Sequence, residues 1–135
     1  MLNIEKFKEQ VGCNIPATEA QIRICNLKLR QNNLPEIPTD FSKVLEVCNG
    51  FSNEDTSIFG AEIKNNNWYT DIAEFNISYF QGEPAKWLIL GESDFFFLVY
   101  DELQSKYYVA DRDTFDEEFS TEDVSSPLEY MLKIE

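Results

Sequence analysis

The chain has 135 residues, 43% hydrophobic and 14% aromatic, with a formal net charge of −14 and no histidine. That size and composition suit one globular domain, residues 1–135, able to bury a core without staples. The charge excludes nucleic acid as a direct partner, because phosphate affinity comes from Lys and Arg, and it disfavours an anionic membrane surface for the same reason.

The opening "MLNIEKFKEQ" alternates charges and lacks the apolar centre of a signal peptide. The longest fully apolar run, Phe95 to Tyr100, has six residues, against about 20 for a membrane span. A cytoplasmic location is therefore expected. Ile4, Phe7 and Val11 fall at i, i+3 and i+7 and predict a short amphipathic helix, ended by Gly12 and Pro16. Thr18-x-x-Gln21 is a capping box for a second helix, to about Arg30, with Ile22, Cys25 and Leu29 on one face. Thr39, after Pro38, is the expected N-cap of a third helix. Its stripe is Phe41, Val44, Leu45 and Cys48, a helical spacing rather than a strand alternation. Asn49-Gly50 then reads as the end of that helix, with Asn49 as C-cap and Gly50 as the left-handed residue beyond it.

The character changes after Gly50. "TSIFGAEI" reads as a strand in which Gly60 marks a bulge or a close approach. "NNNWYT" is a loop, and Thr70 is the expected cap of a helix to about Phe80 with Ile72, Phe75 and Tyr79 on one face. Three strands follow, "AKWLILG", "FFFLVYD" and "KYYVADRD", joined by the turns "ESD" and "ELQS". In the middle one Phe95, Phe97 and Val99 face one way and Phe96, Leu98 and Tyr100 the other. A strand apolar on both faces belongs mid-sheet, covered on both sides. Ser126-Pro127-x-Glu129 is a capping box for a last helix with Leu128, Met131 and Leu132 on its apolar side. The order predicts the α+β class: a mainly antiparallel twisted sheet packed by N-terminal helices and a C-terminal helix.

The charge is unevenly placed. Residues 1–48 hold six acidic and six basic residues, so the whole excess belongs to residues 49–135. A basic protein partner fits such a surface, since complementary potentials raise association rates and select partners; the bland alternative is solubility alone. The densest cluster, "DRDTFDEEFSTED" over residues 111–123, offers Asp111, Asp113, Asp116, Glu117 and Glu118 as binding candidates, or a solvated loop. Trp68 and Tyr69, in a polar loop, are candidate interface anchors or aromatics tucked over the core.

Other chemistries find little support. Cys13, Cys25 and Cys48 form no C-x-x-C pair and are expected as reduced thiols, Cys48 as a small buried hydrophobe. Without histidine there is no Ser-His or Cys-His couple, and no phosphate-binding glycine loop is present. No catalytic residue, cofactor or metal is therefore expected. Read as a calcium loop, Asp111 to Glu122 fits at Asp111, Asp113 and Glu122 but fails at Phe115 and Asp116, leaving at most a weak surface cation site. Asn76-Ile77-Ser78 matches a glycosylation sequon that a cytoplasmic chain would not use.

Four stretches, taken in order, resemble the SUKH superfamily, the group that includes the yeast Smi/Knr cell-wall regulator; the YrhA-like branch is the nearest in pattern. They are "LPEIPTDFSKVLEVCNGF", "IFGAEI", "WLILGESD" and "FFLVYDELQSKYYVADRDTFDEEF". Their marks are a proline-rich entry, the acidic-aromatic pair Asp40-Phe41, Asn49-Gly50 after a short helix, a Gly-x-Ser-Asp turn, and a hairpin with an aspartate before its turn. The resemblance covers roughly Leu34 to Leu132. It implies a SUKH (Smi/Knr-like) fold and a non-enzymatic binding role. Bacterial members act as immunity proteins that bind and neutralise toxins, many of them nucleases. The expected partner is a basic toxin domain met by an acidic surface, with the protein itself a monomer or weak dimer. The alternative is a regulatory or scaffold module of the same fold with an endogenous partner.

Overall fold

The computed structural model describes residues 11–64 and 68–132, and the helix expected over residues 4–11 lies outside them but for Val11. Thr18 caps α1 (Glu19–Gln31) through the expected box: its hydroxyl accepts from the Gln21 N–H, and the Gln21 side chain accepts from the Thr18 N–H. Ile22, Cys25 and Leu29 form the buried face of this helix. α2 (Thr39–Leu45) buries Phe41, Val44 and Leu45, and Cys48 extends the stripe past its end. Thr39 is the first residue of α2 rather than its cap, and Pro38 in the cap position contributes no side-chain bond.

Seven strands are neighbours in space in the order of the sequence: β1 (Gly12–Cys13), β2 (Phe51–Asn53), β3 (Thr56–Ile58), β4 (Trp87–Glu92), β5 (Phe96–Asp101), β6 (Lys106–Asp111) and β7 (Glu117–Thr121). Every paired strand is antiparallel to its neighbour. α1 and α2 lie in the β1–β2 connection, α3 (Ile72–Phe80) in the β3–β4 connection, and α4 (Ser125–Leu132) follows β7. The described residues thus form an α+β fold with four helices and a seven-stranded antiparallel sheet. No helix among them is long and apolar enough to cross a membrane.

The two-sided pattern of β5 has the expected outcome. On one face Phe75 and Tyr79 of α3 lie 6.2 and 5.4 Å from the Phe97 ring; on the other, Tyr130 of α4 lies 5.9 Å from Phe96. One apolar cluster runs through the described residues, from Ile22 and Leu29 of α1 to Leu128 and Leu132 of α4.

Several boundaries move for identifiable reasons. β1 and β2 are too short for a periodicity to show, and β7, read as part of a charged loop, carries a Glu-Glu start that hides its strand pattern. Asp71, not Thr70, caps α3, accepting from the Glu74 N–H at 2.8 Å. The capping box expected at Ser126 does not form. Asp123 lies ahead of α4 instead and accepts from the Ser125 N–H and from the Ser125 and Ser126 hydroxyls. These bonds, the Ser125 hydroxyl first, hold the Asp123 carboxyl below its ordinary value. A depressed carboxyl stabilises the fold above its unfolded pKa, near 4, and loses that contribution as pH falls through the lower folded value. Asp123→Asn is accordingly expected to flatten the acid limb of a melting-temperature profile. An unchanged acid limb would show that this cap contributes nothing.

Asn49 is not a helix cap. α2 stops at Leu45, and Asn49 lies buried beyond it, donating to the Ala61 carbonyl at 2.9 Å and accepting from the Ala61 N–H at 2.7 Å. The expected close approach at Gly60 is here: a Cβ on it would stand 2.5 Å from the Asn49 carbonyl oxygen. Gly50 has the expected left-handed backbone, φ 109°.

The cysteine reading is corrected as well. Cys13 and Cys48 are joined as a disulfide, with Cα atoms 5.5 Å apart. The β1–β2 pairing sets Cys13 opposite Phe51, three residues past Cys48, which draws two cysteines 35 residues apart in sequence together. Cys25 alone is a free thiol, and burial, then the Asp71 carboxylate, push it up to about 12.

Candidate functional site

The acidic segment 111–123 folds mostly as a hairpin and not as a loop. Asp111 ends β6 and turns its carboxylate back on the following turn, accepting from the Asp113 N–H at 2.8 Å and the Thr114 N–H at 3.0 Å. These two bonds, Thr114 first, hold its carboxyl below the ordinary value. Asp113 and Asp116 stand exposed on the turn, and Glu117 and Glu118 stand exposed at the start of β7. β7 is an edge strand, and its carboxylates oppose pairing with the same edge of a second copy.

Trp68 and Tyr69 do not join this cluster. Tyr69 packs beside Gly12 and Gly50, at the β1 end of the sheet, whereas the acidic hairpin forms the β7 end. Tyr69 is half-buried there, and Trp68 is 82% exposed. The two groups of candidates are separate surfaces, not one face.

The structure adds a cleft that the strand pattern does not announce. It has a volume of about 260 Å³ and lies over β4 to β7 beside α3. Trp87, Tyr108 and Phe115 supply aromatic walls, Val99 and Ala110 an apolar floor, and Asp101 and Glu117 carboxylates. Phe115, in the β6–β7 turn, has a left-handed backbone (φ 64°) and stacks on Trp87 with centroids 5.5 Å apart. A bulge decides where Glu117 points. Val109 pairs with Phe119 and Ala110 with Glu117, so Glu118 is the extra residue and Glu117 shares the Ala110 side of the sheet. Asp101 is 6% exposed; its Oδ1 accepts from the Leu103 N–H at 2.9 Å and the Gln104 N–H at 3.3 Å. Tyr108 donates to Gln104 Oε1 at 2.7 Å, and its hydroxyl is pushed up by burial first, then by Asp101 and Glu117. No sequence pattern singled out this cleft; Trp87 lies within the predicted strand "AKWLILG", and its partial exposure is a product of the fold.

Four of the five motif marks resolve into structural bonds. Asp40 accepts from the buried Tyr107 hydroxyl at 2.5 Å, tying α2 to β6 across 67 residues. Burial first, and this bond second, raise the Tyr107 hydroxyl. Asn49 clamps Ala61, the Ser93 hydroxyl accepts from the Phe96 N–H at 3.1 Å, and Asp101 orders the β5–β6 turn. Tyr107→Phe removes one bond to a charged acceptor that solvent partly reaches and is expected to cost about 1.5 kcal/mol. Chemical denaturation measures it, and an unchanged midpoint would show that the bond is replaced by water without loss.

Among the described residues no group of three or more His, Cys, Asp or Glu could hold a metal ion. Asp111, the first position of the calcium-loop reading, spends Oδ1 on its own turn. Comparison with protein-family models, with curated proteins and with solved structures finds no match to this chain.

Proposed function

We propose that this protein is a non-enzymatic binding module of the SUKH type, an immunity protein that binds and neutralises a toxin domain of basic surface, such as a nuclease, in the cytoplasm. The observation that carries the reading is the acidic hairpin. Residues 49–135 hold the whole excess of negative charge, and Asp111, Asp113, Asp116, Glu117 and Glu118 gather at one end of the sheet. A nuclease groove is built to attract phosphate, so a rigid carboxylate surface can occupy it by the same attraction. The sequence resemblance supports the same class of function. The motif residues that carry it serve the fold, which leaves the exposed hairpin as the part free to meet a partner.

The test is co-expression. The C-terminal part of the protein encoded directly upstream is produced in cells with and without this chain. Killing that this chain relieves is the expected result; a harmless neighbour, or equal killing in both cases, would overturn the reading. If the acidic hairpin carries recognition, the association rate of the purified pair falls about tenfold or more from low to physiological salt. A rate insensitive to salt would remove the electrostatic part of the proposal.

A further inference from the structure

The cleft between Trp87, Tyr108 and Phe115 carries a more specific statement about the partner. We infer that it receives an arginine side chain of a basic protein, stacked between aromatic rings and met by the carboxylates of Asp101 and Glu117. Naming a protein as the bearer of that arginine rests on the function proposed above; the chemistry of the cleft does not.

Charge comes first. Asp101 is 94% buried by its 6% exposure, yet it has no ion pair among the described residues. Its Oδ1 is used by two backbone N–H groups, and Oδ2 has no hydrogen bond there. Ser57 Oγ is the one buried side-chain N or O among the described residues that lacks a partner, so the free Oδ2 of Asp101 meets solvent at the cleft, where a cation can reach it. Glu117, placed on the same side by the β7 bulge, adds a second carboxylate that solvent and a ligand can both reach. The chain carries net charge −14, so an approaching basic surface is attracted before it docks.

Shape then selects among cations. A guanidinium is planar, weakly hydrated and stacks on aromatic faces while its fork of N–H donors meets carboxylates; an ammonium does neither as well. Trp87, Tyr108 and Phe115 provide those faces around a volume of about 260 Å³.

The same side of the sheet already shows this recognition with a residue of its own. The Arg112 guanidinium lies 5.1 Å from the Phe97 ring centroid and 3.4 Å from a Glu92 oxygen. Phe97 in turn lies 5.9 Å from Phe115, which lines the cleft, so the internal arginine and the cleft are linked through neighbouring rings. The cleft repeats this pairing of aromatic faces with carboxylates.

Lys106 is the chain's own competitor. It pairs with Asp101 in the β5–β6 register, on the same side of the sheet, but it does not line the cleft and makes no ion pair among the described residues. Removing its charge should therefore strengthen binding of an external cation.

The experiment titrates the ¹⁵N-labelled whole protein with N-acetyl-arginine amide into the millimolar range and follows its NMR spectrum. N-acetyl-citrulline amide, of the same shape without the charge, is the control. Saturable shifts of the Trp87 indole N–H and of the Tyr108, Ala110 and Glu117 amides are expected with arginine and not with citrulline. Glu117→Gln is expected to weaken this binding about threefold and Lys106→Gln to strengthen it by a similar factor, as single charges near a surface do. Trp87→Leu should weaken it about threefold through the lost ring face. The inference is overturned by shifts scattered over the acidic residues without saturation at the cleft, by an equal response to citrulline, or by no response. Co-expression keeps the two ideas apart. Rescue without cleft shifts rejects the cleft and keeps the function; cleft shifts without rescue reject the toxin reading and keep an arginine site.

Discussion

Replacing Asn76 with alanine is expected to destabilise the protein by about 4 kcal/mol, because two fully buried backbone groups lose their partners together. Asn76 is 0% exposed and donates to the Ile72 carbonyl and the Ile89 carbonyl, both at 2.8 Å, while its Oδ1 accepts from the Ile89 N–H at 2.7 Å. β3 is only three residues long and pairs with β4 at Glu92 and Gly91. Past that point Ile89 has β5 on one side, opposite Val99, but no strand on its β3 side, and the Asn76 amide stands in for one there. Asn49 does the same for Ala61 with its own pair of bonds. The carboxamide matters because it presents a donor and an acceptor side by side, as a peptide group does. Asn76→Asp keeps the size but loses the donor, so it should be no better tolerated than alanine. Urea unfolding checks both variants. A loss under about 1 kcal/mol for alanine would mean that water or a local shift satisfies Ile89. The same burial explains why the Asn76 sequon is unusable in the folded chain: its side-chain nitrogen is already committed inside the core.

Reduction of the Cys13–Cys48 bond is expected to cost a comparable amount. Closing a 35-residue loop removes about 4 kcal/mol of denatured-state freedom in the chain-entropy picture. The bond joins the short edge strand β1 to the segment after α2, and β1 has only two paired residues of its own to hold it. Thiol counting and melting together provide the check. Denatured, unreduced protein should show one reactive thiol, from Cys25, and reduced protein three, with a lower melting temperature than the oxidised form. Native protein should show almost none, because Cys25 is fully buried and raised to about 12. Three thiols in denatured protein that was never reduced would restore the reduced-thiol reading. Disulfides are uncommon in reducing compartments, so the count should be made on protein from freshly lysed cells with thiols trapped at once as well as after air oxidation.

Periodicity was a sound guide wherever an element was long enough to repeat it. α1, the stripe of α2, and β4 to β6 could all be read in advance, because each covers enough residues for a 3.6 or 2.0 period to stand out. The double-faced apolar run of β5 even indicated its place between two covering helices. Strands of two or three residues carry little such signal: β3 was legible as the start of "TSIFGAEI", whereas β1 and β2 were not, and β1 exists as a strand only through a partner far along the chain. Caps were misplaced by a residue or replaced, as at Asp71 and Asp123, because several neighbouring side chains could each have reached the free N–H groups and packing chose among them.

The candidate site divides in the same way. The sequence alone determined the chemistry available: an acidic C-terminal two thirds, no histidine, abundant aromatics and an α+β element order. Charge and hydrophobic pattern are local properties, and they survive without knowledge of contacts. Only the tertiary structure decided which of those residues meet. It separated Trp68 and Tyr69 from the acidic hairpin by the full width of the sheet, and it turned Asp40, Asn49 and Asp101 into structural clamps. It also brought Trp87, Tyr108, Phe115 and Glu117 around one cleft through the strand register and a single bulge. Register and bulges are set by pairings between distant residues, so no window of the sequence contains them.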